Sequence, residues 1–306
     1  MSPNPKTDSG IHQVILSGPS AQARKLKISV ERAGNSRSSV LIYGEPGAGK
    51  ETIARLIHEN LAEKGRFIAF YIFEDSEEEF IDLLKRHSNL GPKAKANSNT
   101  LFLDGVNELS STAQRRLSIF LKNIEGRGGL TPKILSTSTQ DILGLVKYSA
   151  FSRELYWQLN VQQLSLPNLQ HRKSDIPIIF KKLLKATFAP KRAPIPSREA
   201  IKALVRYGWP GNLRELKSVA TRFHAMDLGG KITRRNVTTT LANPLSTETG
   251  LGRGQNLSSA IYRNLEKYFK AHEGALPPAG LYQRILKEVE RPLISLTLNA
   301  TKGNQL

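Results

Sequence analysis

Ser39-Val-Leu-Ile-Tyr43 runs straight into Gly44-Glu-Pro-Gly-Ala-Gly-Lys50, after which the apolar residues of 53–61 recur at helical spacing. The order is strand, loop, helix. Glycines at 44, 47 and 49 let the backbone turn tightly and aim its N–H groups at phosphate oxygens. The helix starting near Lys50 adds its positive end, and the Lys50 ammonium reaches terminal phosphates. A plain glycine-rich turn with a solvated lysine is the bland alternative, and the flanking strand and helix weigh against it. One departure from the general pattern is Glu51, where a Ser or Thr hydroxyl normally binds Mg²⁺.

The segments on either side continue the alternation. Ser20 is placed to cap a helix over 21–33. Strands are expected over 67–73, 100–103 and 133–137, and helices over 77–86 and 111–124. Such alternation implies a parallel sheet covered on both faces. After Pro167 the texture changes to helices over 176–188, 197–207 and 212–226, punctuated by Pro and Gly. The expected organisation is a disordered polar start (1–10), an α/β subdomain (11–165), a helical lid (166–242), a linker (243–256) and helical segments in 257–306.

The chain has 306 residues, with 45 Lys and Arg against 26 Asp and Glu, a formal net charge of +19. Polyanions such as nucleotides or nucleic acid are favoured partners. Absence of cysteine excludes disulfides, thiolate metal sites and a Cys nucleophile. With no signal-peptide core and no run of about 18 apolar residues, a cytoplasmic protein without a membrane partner is expected. Basic pairs at Lys181-Lys182, Lys191-Arg192 and Arg234-Arg235 fit DNA phosphates and solvated helix faces about equally well. The histidines are scattered and suggest neither a triad nor a metal site.

The Gly44 to Glu51 loop resembles that of the AAA+ domain of sigma-54-dependent transcription activators, which usually reads like GESGTGKE. Further segments agree in order: Thr100-Leu-Phe-Leu-Asp104 with Asn107-Glu-Leu109, Phe151-Ser-Arg-Glu-Leu-Tyr-Trp-Gln-Leu-Asn160, Leu166 to Pro177, and Trp209-Pro-Gly-Asn-Leu-Arg-Glu-Leu216. The stretch 271–305 is similar to the Fis-like domain of NtrC-type activators, ending where that family places its helix-turn-helix. The resemblance implies an AAA+ P-loop parallel sheet flanked by helices, a helical lid subdomain and a short, truncated helical tail. Against that family's pattern, no phospho-receiver domain is expected ahead of residue 11, and no counterpart of the GAFTGA loop that touches sigma-54 is expected between Tyr71 and Asn99.

The resemblance also assigns roles. ATP or ADP would be held by Gly44, Glu45, Pro46, Gly47, Ala48, Gly49, Lys50 and Glu51, with Mg²⁺ on Asp104 and Arg214 as the second sensor. The family's water-polarising Glu is Gly105 here, and its two arginine fingers are Ser152 and Gln158. Glu108 and Arg153 are the available substitutes. Tyr71 stands at the position of an Asn that couples the catalytic Glu to nucleotide state, and Thr139 at that of a sensing Asn. The expectation is a regulator that binds ATP, hydrolyses it weakly or not at all, and forms a homo-oligomer or a mixed oligomer with a full-length relative. Neither remodelling of sigma-54 polymerase nor specific DNA contact is expected. The alternatives are a decayed paralogue that only oligomerises and an active ATPase using Glu108 and Arg153.

Overall fold

The structure, a computed structural model, describes residues 13–63, 65–72, 77–88, 98–125, 131–226 and 230–242. Helix α1 (Ala21–Gly34) begins on Ser20, whose Oγ accepts the Ala23 N–H at 3.0 Å. It buries Ala23, Leu26, Val30 and Ala33 along one face. Strand β1 (Val40–Tyr43) and helix α2 (Lys50–Glu59) flank the glycine loop. Then come β2 (Phe67–Tyr71), α3 (Glu77–Ser88), β3 (Thr100–Asp104), α4 (Ser111–Glu125) and β4 (Lys133–Ser138). In α3 the glutamates 77–79 occupy the first turn and Lys85, Arg86 and His87 the last, so charge complements the helix dipole at both ends. Short helices α5 (Ile142–Lys147) and α6 (Arg153–Leu159) lead to β5 (Gln162–Ser165).

The five strands form a parallel sheet in the order β2-β3-β4-β1-β5. Alternation along β1 sends Leu41 to one face, with Leu101, Leu103, Ile134 and the α4 residues Leu117 and Leu121. Val40 and Ile42 face the other way, against Phe102, Leu135, Leu164 and the α2 residues Ile53 and Ile57. The sheet is therefore the middle of three layers, as the alternation of elements implies. Its strands all end at one edge, where Asp104 closes β3 and Gly44 follows β1. Ligands of open parallel sheets bind at that edge.

Lys133, at the start of β4, is fully buried. Its ammonium donates to the carbonyls of Ala33 (2.9 Å), Ser36 (2.7 Å) and Ser38 (2.7 Å), so all three N–H donors have acceptors. Burial, and secondarily the charge of Arg37, pull its pKa down to about 8.

The lid comprises α7 (Ile176–Phe188), β6 (Ile195–Pro196), α8 (Arg198–Arg206), α9 (Asn212–Ala225), β7 (Lys231–Ile232) and α10 (Arg234–Ala242). Its own core is built from Ile179, Phe180, Leu204, Trp209, Leu216 and Phe223, with Phe180 and Phe223 edge to face at 6.1 Å. A buried ion pair bolts it to the segment before α1. Arg172 Nε meets Asp175 Oδ2 at 2.8 Å with both side chains at most 2% exposed, and Arg172 Nη2 donates to the Ile15 carbonyl at 2.7 Å. Asp175 accepts the Ser20 N–H at 2.9 Å and the Ser20 hydroxyl at 2.6 Å. Gly18 passes so close that a Cβ there would lie 2.2 Å from Asp175 Oδ1.

Three departures from the sequence reading have physical reasons. Strand β5 was not expected because Gln162-Gln-Leu-Ser buries only Leu164; it forms through backbone pairing with β1. The two-residue β6 and β7 are too short for any period to register. In α10 three successive threonines obscure a helical face on which Val237 and Thr240 are buried. The expectations for residues 1–10, 243–256 and 257–306, and for much of the stretch between Tyr71 and Asn99 where no GAFTGA counterpart is expected, lie outside the described residues. The chain divides into two units, Met1–Pro244 and Leu245–Leu306. Among the described residues no helix is long and apolar enough to cross a membrane.

Candidate nucleotide site

Gly49 adopts φ +96°, in the left-handed region that a glycine enters without strain, and starts α2 with no side-chain cap. Among the described residues, the first-turn amides at 50–52 thus have no side-chain cap at the positive end of the helix. Lys50 Nζ donates to the Gly44 carbonyl at 2.8 Å and the Glu45 carbonyl at 3.3 Å, which draws the ammonium across the loop. Burial lowers its pKa most; the Asp104 carboxylate raises it and the Arg214 guanidinium lowers it. Residues 50, 104 and 214, far apart in sequence, therefore share one electrostatic neighbourhood. An anion entering it would offset the two cations.

The lid closes on this loop through Glu45. Its carboxylate accepts from Asn168 Nδ2 and, at 3.0 Å, from Asn212 Nδ2, which also donates to the Pro46 carbonyl at 3.3 Å. The Arg214 N–H donates to the Gly47 carbonyl at 3.2 Å. Gly47 (φ +77°) has no room for a side chain, since a Cβ would lie 2.3 Å from the Gly211 carbonyl oxygen. On the other side a Cβ at Gly49 would meet Ile15 Cδ1 at 2.5 Å, with Leu213 next, so the loop runs between apolar walls. Of the residues read as cradling phosphate, Ala48 is buried and Pro46 exposed, and the Glu45 carboxylate is committed to the lid.

The acid-bearing edge is equally specific. Asp104 Oδ1 accepts the Thr137 hydroxyl, and the same Thr137 oxygen accepts the Gly105 N–H at 3.1 Å. Gly105 lies at φ +87° and starts the 3-10 turn Val106–Glu108. Glu108 is exposed and takes Asn107 Nδ2 at 2.7 Å; its Cγ is 3.8 Å from where a Cβ at 105 would stand. The Glu51 carboxylate is engaged along its own helix: its Oε1 accepts Arg55 Nε at 3.0 Å and Nη2 at 2.7 Å. Burial, and then that carboxylate, push the Tyr71 hydroxyl pKa up. Thr139 is exposed. Among the described residues no three His, Asp or Glu side chains gather as a metal site, so an ion here would rest on Asp104 and the ligand's own oxygens.

The residues that the resemblance sets at the arginine-finger positions, Ser152 and Gln158, have structural employment. Ser152 caps α6, its Oγ accepting the Leu155 N–H at 3.3 Å while its own N–H goes to Gln114 Oε1 at 2.8 Å. Gln158 turns inward and donates Nε2–H to the Ser118 carbonyl at 3.3 Å. Arg153 is exposed. Arg214 is exposed too, and among the described residues it is ion-paired with neither Glu199 nor Glu215; the latter takes the Tyr207 hydroxyl and the Gly211 N–H. Sequence reasoning missed Thr137, Asn168 and the Glu45–Asn212 contact. The signals were Glu45 in the loop, Asn168 within the quoted Leu166 to Pro177 segment and Asn212 within the quoted Trp-Pro-Gly-Asn motif.

Residues 17–169 match the family described as Sigma-54 interaction domain, and 170–251 the AAA+ ATPase lid domain. The chain is 33% identical over 316 residues to the DNA-binding transcriptional regulator NtrC of Azospirillum brasilense, covering 96% of this chain and 66% of that one. It is 31% identical to NtrC of Rhizobium meliloti (strain 1021), covering 95% and 65%. It thus spans about two thirds of the length of these curated relatives. NtrX from Brucella abortus, solved in complex with ATP, shares the fold at TM-score 0.61 and 21% identity, covering 94% of this chain and 63% of that one. The Thermotoga maritima RuvB Holliday junction branch migration motor does so at TM-score 0.54 and 17% identity, covering 74% and 69%. With the match spanning both the sheet and the lid, the chain belongs to the NtrC-type family of AAA+ proteins that carry a sigma-54 interaction domain.

Proposed function

We propose that this chain is a nucleotide-binding regulator of the NtrC type that holds ATP or ADP and splits ATP slowly or not at all. The observation that carries the binding half is the glycine loop itself: Gly49 opens α2 with no side-chain cap, Lys50 Nζ lies across the loop on the Gly44 and Glu45 carbonyls, and the Arg214 backbone N–H meets the Gly47 carbonyl. The donor set fits a polyphosphate: first-turn amides at the start of α2 and one ammonium across the loop, with Arg214 brought to the loop by its backbone bond to Gly47. Mg²⁺ would sit on Asp104, held in place by the Thr137 hydroxyl, and would neutralise phosphate charge. That NtrX was solved with ATP and with ADP supports the same ligand class.

The second half rests on what the remaining positions do. Gly105 offers no carboxylate to orient water, Ser152 is a helix cap, and Gln158 is bonded into α4. Slow turnover follows in this reading because the positions that match the family's water-polarising carboxylate and arginine fingers hold Gly105, Ser152 and Gln158. We read 11–165 as the nucleotide-binding subdomain, 166–242 as its lid, 243–256 as a linker and 257–306 as the segment that pairs protomers or joins a relative. Transcription regulation is the role proposed, without remodelling of sigma-54 polymerase.

Calorimetric titration of the full chain with ATP and ADP in excess Mg²⁺ tests the binding half. Saturable heat that disappears in Lys50→Ala is expected. No heat from either nucleotide, or equal heat from Lys50→Ala, would reject the assignment.

A further inference from the structure

The chain's positive charge is not spread evenly. Residues 166–242, a quarter of the length, hold 16 Lys and Arg against 4 Asp and Glu, and so supply 12 of the 19 net charges. Of those four acids Asp175 is buried against Arg172, and among the described residues of this stretch only Glu199 is an exposed carboxylate. Helix α8 presents Arg198, Lys202 and Arg206 at i, i+4 and i+8, all exposed, while Ala200 and Leu204 face the lid core. Steps of four residues advance about 40° past a full turn, so the three cations form one stripe about 12 Å long.

The stripe does not stop at the end of the helix. Ile195 pairs with Lys231 in the β6–β7 ribbon, both are exposed, and Ser197 N–H donates to the Ile232 carbonyl at 2.9 Å, which brings Arg198 beside that ribbon. Exposed Arg234 and Arg235 follow immediately. Like charges gathered on one surface, with almost no carboxylate among them, destabilise the free protein slightly and are relieved by a polyanion. None of the Phe, Tyr or Trp side chains of this stretch is exposed, so no stacking platform for unpaired bases is present on it.

We propose that the α8 face of the lid, extended by the β6–β7 ribbon, is a docking surface for the phosphate backbone of duplex DNA, bound without reading base sequence. Arg198, Lys202, Arg206, Lys231, Arg234 and Arg235 are its contacts. The surface is independent of the nucleotide site, and its occupancy does not require ATP.

The test is fluorescence anisotropy of a short labelled DNA duplex of arbitrary sequence with the full chain, from about 50 to 200 mM salt. Binding that weakens steeply with salt is expected. The Arg198→Glu/Lys202→Glu/Arg206→Glu triple variant should lose about 10-fold or more in affinity at low salt, with a salt slope shallower by about 3. The neutral Arg198→Gln/Lys202→Gln/Arg206→Gln variant should fall between. Arg115→Glu/Arg116→Glu/Lys147→Glu, which makes the same charge change on exposed sites of α4 and α5, should lose less than the α8 variant. Circular dichroism and ATP titration establish that each variant is folded. An undiminished affinity in the α8 variants, an equal loss in the control, no duplex binding at low salt, or tighter binding of single-stranded DNA or of duplex RNA would overturn the proposal.

Discussion

Gly105 occupies a position where space and backbone disagree. A Cβ there would have its nearest neighbours at 3.6 and 3.8 Å, ordinary contact distances, yet φ is +87°. The cost of a side chain is therefore conformational, and Gly105→Ala should lower stability by about 1 kcal/mol in urea unfolding. An unchanged midpoint would mean that the backbone relaxes freely. Gly105→Glu should leave phosphate release at the level of Lys50→Ala, since Ser152 and Gln158 still supply no positive charge; recovery of turnover by this single change would show that one carboxylate was all the site lacked. Lys133 gives a pH signature. Its folded pKa of about 8 lies below the ordinary value of about 10.4, so between the two the unfolded chain binds more protons and stability rises with pH. The full swing is on the order of 3 kcal/mol. Lys50, whose pKa is also lowered, adds a slope of the same sign, while Tyr43, pushed up to about 12 by burial, acts oppositely above pH 10. Denaturation between pH 7.5 and 9.5 should therefore show an upward slope that is reduced in Lys133→Met; an identical slope in both proteins would remove Lys133 as its source.

Between elements, two of the contacts that join the lid to the α/β subdomain differ in energy. The Glu45 carboxylate is exposed, and its bonds to Asn168 and Asn212 cost little to break. Glu45→Ala should change global stability by less than about 1 kcal/mol while speeding amide exchange at 212–214. Unaltered exchange there would show that the lid is held elsewhere. The Arg172–Asp175 pair is the opposite case. Asp175→Ala leaves a buried guanidinium without its carboxylate and should cost about 3 to 5 kcal/mol, whereas replacing both partners by apolar residues should cost less. Equal losses in the single and double variants would contradict that account. These elements also mark the limit of sequence reasoning. Helices 176–188 and 212–226 were legible because their apolar periods are strong. The Asp175 to Ser20 bonds bridge 155 positions and the Asn212 to Glu45 bond 167, separations at which no local pattern pairs polar residues. Strand β5 escaped notice for a related reason, because its pairing is a backbone property that Gln162-Gln163 does not advertise.

On the scale of the whole chain, the three-layer sheet, the lid and the position of the loop at the strand ends follow from apolar runs, glycine spacing and helical periods. Motif order assigns Gly105, Ser152 and Gln158 to the family's catalytic positions, and that assignment is part of the proposal. What those residues do instead was not legible: Ser152 as a cap and Gln158 as an inward donor are facts of packing. If the loop holds nucleotide, saturating it must stabilise the folded chain. At 100 times the dissociation constant the gain is about 2.7 kcal/mol, so the thermal midpoint should rise with ATP in the unmodified chain and stay fixed in Lys50→Ala. The central claim, that triphosphate is held but not split, is tested most directly by mixing excess full chain and Mg²⁺ with a trace of γ-labelled ATP, then separating and quenching the protein-bound fraction. Retention of ATP that is recovered intact, and loss of that retention in Lys50→Ala, is the result this account requires. No retention by the unmodified chain, or free phosphate accumulating well beyond the Lys50→Ala level, would contradict it.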